Sequence, residues 1–336
     1  VAYRQLRERE MKILARLGEQ SGQTQVQMWS SISLANFHGI ELTDFGAETA
    51  KLALFIAEYQ SNAAMAELFG AAAEALPLRD GGHVVCGNAL RLDWEEVCPP
   101  PEKDEEVYIA GNPPFLGKRQ QTDSQKKDMQ SVFEGRLRNF KNLDLVSAWY
   151  LKAADYLRSF GGRAALVSTN SVCQGASVPT LWPTVLEKPV EIAFAHRGFK
   201  WANNAAANAA VSCVIVGLQR VGDTNPILFD GGIKKSAKHI NAYLIDAPQV
   251  FVESERSPLF EIPPMTFGDM ARDGGALLLS SEEYNRITDK YPESQKFLRK
   301  YPGADEVISG RDRYCVWIDE RKGDDLVSQA MIIPPI

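Results

Sequence analysis

The chain has 336 residues, of which 45% are apolar and 24% charged, with a formal net charge of −6. That balance fits one large packed domain or two ordinary ones and excludes a long disordered or low-complexity protein. A negative total also excludes a surface that is basic throughout, while leaving room for a local basic cleft.

Residues 1–18 are predicted to form a helix with a partial apolar stripe of Leu6, Ile13, Leu14 and Leu17. A strand is predicted over 31–42. Thr43 then caps a helix running to about Phe69, with Phe45, Thr49, Leu52, Ala53 and Ile56 on one face. Residues 83–90 read as a short strand, and 105–115 as a strand ended by Pro113 and Pro114. The stretch 117–141 is polar and charged and reads as a loop. A helix over 144–160 carries Val146, Trp149, Tyr150, Ala153 and Leu157 on one side and stops at Gly161 and Gly162. Strands are predicted over 163–172, 189–199 and 208–219. After about residue 222 Pro and Gly rise, and helical spacing persists only over 281–287 and 293–300. Ser280 or Ser281, followed by Glu282 and Glu283, marks the start of the first of these. The alternation predicts an α/β fold, a mostly parallel sheet covered by helices on both faces, with one domain over 1–222, a boundary near 222–255, and a linker followed by the start of a second region over 223–336.

Five cysteines, at 86, 98, 173, 213 and 315, form no Cys-x-x-Cys pair and no zinc spacing, so no metal site is expected. Cys86, Cys173 and Cys213 lie in or beside apolar runs and read as small core residues. This usage fits a reducing compartment. With no membrane-length apolar run and no signal sequence, a cytoplasmic location is expected.

Asn112-Pro113-Pro114-Phe115 directly follows a predicted strand. In any protein this can be a plain strand end with a stiff turn. In an open α/β sheet, however, ligands sit beyond the carboxyl ends of strands. The Asn112 side chain and the Pro113 carbonyl offer two acceptors, enough to bind both hydrogens of one amino group. Holding both hydrogens draws the nitrogen lone pair out of conjugation with an aromatic ring, and Phe115 can stack on that ring. The pattern therefore suits positioning of a weakly basic exocyclic amine as a nucleophile.

Asn-Pro-Pro-Phe resembles the catalytic motif of amino methyltransferases acting on DNA, and its Asn and Phe resemble the adenine-N6 class. The resemblance implies a Rossmann-like, S-adenosylmethionine-dependent methyltransferase sheet that acts on a base flipped out of double-stranded DNA. FHGIEL (37–42) is similar to the strand-end motif whose acidic residue, here Glu41, binds the cofactor ribose. CGNALRLDW (86–94) is similar to the next motif, which implies Asn88 as the contact to the cofactor adenine, or else Asp93. GFKWANNAAANAAVSCVIVGL (198–218) resembles the target-base motif, with Phe199 or Trp201 as the second wall of the base pocket. For these two aromatics, packing under a loop is the competing reading. Residues 273–284 and 308–319 look like the opening of the target-recognition region in type IIG restriction–modification and phage-defence methyltransferases.

The family's cofactor cradle opens with a Gly-rich turn after a first strand, and no such turn precedes Phe37. The expectation is a chain truncated at both ends, lacking a central strand, with weak cofactor binding on its own. Lys118, Arg119, Lys126 and Lys127, in the basic stretch after the Asn-Pro-Pro-Phe turn, are expected to contact DNA phosphates. Two other readings stand beside this one: a methyltransferase of protein glutamine side chains, and a non-catalytic remnant that binds DNA.

Overall fold

The computed structural model describes residues 1–21, 30–69, 82–102, 105–200, 212–255, 260–262 and 274–318. The chain divides into two compact units, Val1–Ser254 and Glu255–Ile336.

In the first unit α1 (Ala2–Ser21) leads to β1 (His38–Glu41) and α2 (Asp44–Phe69). The strand expected over 31–42 shrinks to β1, because Ser33 caps a 3-10 turn at Leu34–Asn36. Both helices form as the spacing predicts, but their apolar stripes face outward. Leu6, Ile13 and Leu17 of α1 are exposed, as are Phe45, Leu52 and Ile56 of α2. The seam between the helices is built instead on Tyr3 and Arg7 of α1, with Met65 of α2. Arg7 can be buried because its charge is satisfied: it donates to Tyr3 Oη (2.7 Å) and Asn62 Oδ1 (2.9 Å) and pairs with Glu10 at 3.1 Å.

β2 (His83–Cys86) pairs with β1 in parallel, and the short helix α3 (Trp94–Val97) follows. Cys86 is exposed rather than a core residue, whereas Cys173 and Cys213 are buried as expected. The chain continues through β3 (Tyr108–Gly111), α4 (Asp123–Phe133), α5 (Ser147–Phe160), β4 (Arg163–Thr169), α6 (Ser177–Val185), β5 (Val190–Lys200), β6 (Ser212–Arg220), β7 (Ile227–Asp230) and β8 (Ile233–Ser236). A six-stranded sheet has the order β3-β4-β6-β5-β7-β8. β3–β4 and β5–β7 are parallel and the other three pairs antiparallel, so this sheet is mixed rather than mostly parallel. Among the described residues the second edges of β1 and β3 carry no partner strand.

The expected loop over 117–141 contains α4. Thr122 and Gln125 form its capping box, and Met129 and Phe133, four residues apart, are buried in the core. The density of charge in this stretch hides so short an apolar face. α5 ends where the sequence indicates, at Gly161 and Gly162, both with positive φ (80° and 88°). α6 inserts Trp182 into the core, where its Nε1 donates to Val172 O at 2.7 Å.

The first unit runs past residue 222. β7 and β8 extend the sheet, and Ala237, Ile240, Ala242 and Leu244 are buried in the same core. Asn241 Oδ1 accepts the amides of Tyr243 and Ile245, holding this turn together. Residues 223–254 therefore complete the first unit rather than connect two.

In the second unit β9 (Leu278–Ser280), α7 (Ser281–Lys290), β10 (Leu298–Lys300), α8 (Ala304–Ser309) and β11 (Arg313–Val316) form a three-stranded antiparallel sheet of order β10-β11-β9 with two helices. Ser280 and Glu283 make the capping box of α7, as the sequence indicates. The expected helix over 293–300 is a 3-10 turn, Pro292–Phe297, that feeds β10. Tyr284 and Tyr314 stack at 3.9 Å between ring centres. No helix among the described residues is long and apolar enough to cross a membrane.

Candidate active site

β3 ends at Gly111, paired with Leu166 of β4, so Asn112-Pro113-Pro114-Phe115 emerges at the carboxyl end of two parallel strands. Asn112 and Pro114 are exposed, Pro113 is buried, and Phe115 is half-buried against the core. Among the described residues neither the Asn112 carboxamide nor the Pro113 carbonyl has a hydrogen-bond partner. The turn thus holds two acceptors without a partner among the described residues, the exposed Asn112 carboxamide and the carbonyl of buried Pro113, beside one aromatic ring.

Its supports are fully engaged. Leu116, next after Phe115, donates its amide to Asp144 Oδ1 (3.0 Å) and accepts at its carbonyl from Leu145 N (3.0 Å) and Gln121 Nε2 (2.9 Å). Burial pushes the Asp144 carboxyl above its ordinary range, although Val146 and Leu116 amides both donate to it. Under the end of β4 the fully buried Tyr150 hydroxyl bonds Leu166 O (3.2 Å) and Ser168 Oγ (3.0 Å), and burial drives its phenol pKa upward.

Register places Phe199 at the same lip. Thr169 at the end of β4 is opposite Cys213 of β6, which is opposite Phe199 of β5. Three strand spacings, about 14 Å, separate β3 from β5. Trp201 lies outside the described residues.

On the cofactor side Glu41 closes β1 with an exposed carboxylate, while its carbonyl accepts Gly87 N at 2.8 Å. Among the described residues this carboxylate makes no ion pair. Asn88 follows β2 and is half-buried. Its Nδ2 donates to Asp128 Oδ2 (2.9 Å) and its Oδ1 accepts Leu90 N (2.9 Å). One N–H and one lone pair of the amide are left over. Asp93 is exposed and caps α3 by accepting Glu95 N at 2.9 Å. The segment around it is tied to α5 by Lys152 Nζ, which donates to Leu92 O at 2.6 Å. Burial holds the Lys152 ammonium below its usual pKa.

The basic residues divide by their engagements. Arg119 and Lys127 are exposed and make no ion pair among the described residues. Lys118 donates to Asn142 Oδ1 (2.9 Å) and Lys126 pairs with Asp123 (3.1 Å). Arg136 is bound bidentately by Asp155, at 2.7 Å on each arm. Sequence reasoning does not single out Asp128, Gln121 or Asp144, since each lies far along the chain from a group it holds.

The model of the MmeI DNA-methyltransferase domain matches residues 1–230, and that of the MmeI target recognition domain matches residues 246–334. DNA methyltransferase A of Bacillus subtilis (strain 168) is 42% identical over 335 residues, covering 99% of this chain and 38% of that protein. The structure of the type IIL restriction–modification enzyme MmeI in complex with DNA superimposes with a TM-score of 0.87 at 36% identity, covering 99% of this chain and 45% of that one. The chain thus spans less than half the length of either relative. With the methyltransferase-domain model over residues 1–230 and the recognition-domain model over 246–334, the chain belongs to the MmeI family of DNA methyltransferases.

Proposed function

We propose that this chain carries the catalytic site and part of the target-recognition region of a DNA methyltransferase that modifies N6 of adenine in double-stranded DNA. The observation that carries the reading is the pair of unengaged carbonyl oxygens, on the Asn112 side chain and at Pro113, beside the Phe115 ring. The two oxygens accept the two hydrogens of the adenine amino group and localise its lone pair, while Phe115 stacks on the flipped base. Phe199, or Trp201 outside the described residues, is assigned the second wall of the base pocket.

S-adenosylmethionine supplies the methyl group. The free Glu41 carboxylate fits a ribose diol, which needs a paired acceptor. Asn88, oriented by Asp128, keeps one donor and one acceptor for the adenine of the cofactor, with Asp93 as the alternative for that contact. Lys118, Arg119, Lys126 and Lys127 are assigned to phosphates beside the flipped base. The catalytic role is assigned to the first unit, Val1–Ser254, and recognition of the DNA sequence to the region that follows it.

A protein-glutamine methyltransferase is disfavoured because the recognition-domain match over 246–334 has no place in such an enzyme. Incubation of the full-length protein with methyl-labelled S-adenosylmethionine and mixed-sequence duplex DNA, followed by digestion to nucleosides, distinguishes the readings. Label in N6-methyladenine supports the proposal. Label in cytosine or in protein, or in nothing, overturns it.

A further inference from the structure

The turn that bears Asn112 and Phe115 is held at both ends by different means. At its near end the Gly111 backbone is fixed by β3–β4 pairing with Leu166. At its far end no strand continues, and every backbone hydrogen bond of Leu116 goes to a separate piece of chain. Its amide donates to Asp144 Oδ1 (3.0 Å); its carbonyl accepts from Leu145 N (3.0 Å) and from Gln121 Nε2 (2.9 Å). The same Gln121 amide group also donates to Leu143 O at 3.0 Å. It therefore staples the two segments of backbone to each other. Gln121 is buried, with 6% of its surface exposed. Asp144 Oδ1 takes a second amide, from Val146, at 3.2 Å.

A buried amide side chain that spends both N–H groups on main-chain carbonyls is costly to remove: the Leu143 carbonyl loses the donor it has in Gln121, and the Leu116 carbonyl keeps only the Leu145 amide. The nature of the anchor matters as much as its strength. Pro113 and Pro114 make the turn stiff, so an error at Leu116 is transmitted to Phe115 and Asn112 rather than absorbed. Stacking and two-acceptor capture both require sub-ångström placement, and misplacement by about 1 Å can lower a rate about 100-fold.

We propose that Asp144 and Gln121 are positioning residues that act through the Leu116 peptide to fix the Asn112–Phe115 turn; this rests on the reading of that turn as the amine-binding site. Both residues lie outside the Asn112–Phe115 turn and reach it through Leu116. Asp144→Asn keeps a carbonyl oxygen able to accept both amides, so it retains the clamp. Asp144→Ala and Gln121→Leu break it, the latter preserving apolar volume in the buried site.

The test uses the full-length protein. Methylation kinetics are paired with hydrogen exchange of the Leu116 amide. The expected result is a fall in kcat of about 100-fold in Asp144→Ala and in Gln121→Leu. KM for DNA and for S-adenosylmethionine stays within about threefold, Leu116 exchange accelerates, and Asp144→Asn restores both kcat and protection. Should Asp144→Ala fail to fold, Gln121→Leu and Asp144→Asn decide the matter. Wild-type kcat in Gln121→Leu despite faster exchange, or unchanged Leu116 exchange in the breaking variants, overturns the proposal. Faster exchange in a protein whose wild type makes no N6-methyladenine leaves the clamp standing and removes the function assigned to the turn.

Discussion

Asn88 donates its carboxamide N–H to Asp128 Oδ2 at 2.9 Å, tying the end of β2 to the middle of α4 across 40 residues of chain. Asp128 is buried, while its ion-pair partner Arg91 keeps 57% of its side chain exposed. Solvent screening makes the Arg91 pair weak, so the bond to Asn88 is the contact that matters. Asp128→Ala leaves the half-buried amide without its acceptor and is expected to cost about 1–3 kcal/mol. Under the proposed role of Asn88 at the cofactor adenine, its loss of orientation is expected to raise KM for S-adenosylmethionine as well. Asp128→Asn retains an oxygen for Asn88 but turns an amide N–H toward the Arg91 guanidinium, so it is expected to keep the orientation of Asn88 and to recover only part of the lost stability. Urea unfolding and a cofactor titration check the pair of variants.

Gly162 gives a backbone prediction independent of function. Its φ is 88°, and a Cβ there would lie 2.4 Å from the Val107 carbonyl oxygen. Backbone cannot give way as a side-chain tip can. Gly162→Ala is expected to lose about 2–3 kcal/mol, from the left-handed conformation together with the overpacking. A denaturation midpoint equal to wild type would show that the crossover from α5 into β4 relaxes freely.

Among the basic side chains, free and engaged residues are expected to behave differently. Replacing Arg119 and Lys127 with Ala lowers the magnitude of the slope of log K against log salt by about 0.9 for each phosphate left without its cation. Arg136→Ala, whose guanidinium is held by both oxygens of Asp155, is expected to change stability and not the salt slope. Binding isotherms for duplex DNA at several salt concentrations separate the two groups.

Asp144 carries a pH signature. Burial raises its pKa above the ordinary 3.8, so between that value and the raised one the folded chain holds a proton that the unfolded chain has released. Stability contributed at this site therefore increases as pH falls through that window, and at neutral pH the buried charge is a cost. Asp144→Asn lacks the titration. Its stability advantage over wild type is expected to be largest at neutral pH and to shrink on acidification, read from urea midpoints across the range.

The turn after β3 is legible in the sequence because it is local. Asn112 through Phe115 are contiguous, and proline leaves few conformations to choose from. Helix ends set by glycine or by capping boxes, such as Gly161 and Ser280, are legible for the same reason. What escapes is set by distant partners. Arg7 is buried because Tyr3, Glu10 and Asn62 surround it, and no hydropathy pattern assigns arginine to a seam. Met129 and Phe133 define the buried face of α4, but the polar and charged residues around them conceal it. Asp128 and Asp144 look like solvated acids until their partners at Asn88 and Leu116 come into contact. Residues 223–254 read as a connection because β7 and β8 are only four residues each and their pairing is not a local property.

The central claim is that the Asn112 side-chain oxygen helps hold the target amine. It is tested most directly by single-turnover formation of N6-methyladenine in the full-length protein, wild type against Asn112→Ala, with cofactor affinity measured on the same samples. The account predicts a loss of about 10²–10³-fold in the rate of methyl transfer with cofactor affinity unchanged. A wild-type rate in Asn112→Ala would contradict it.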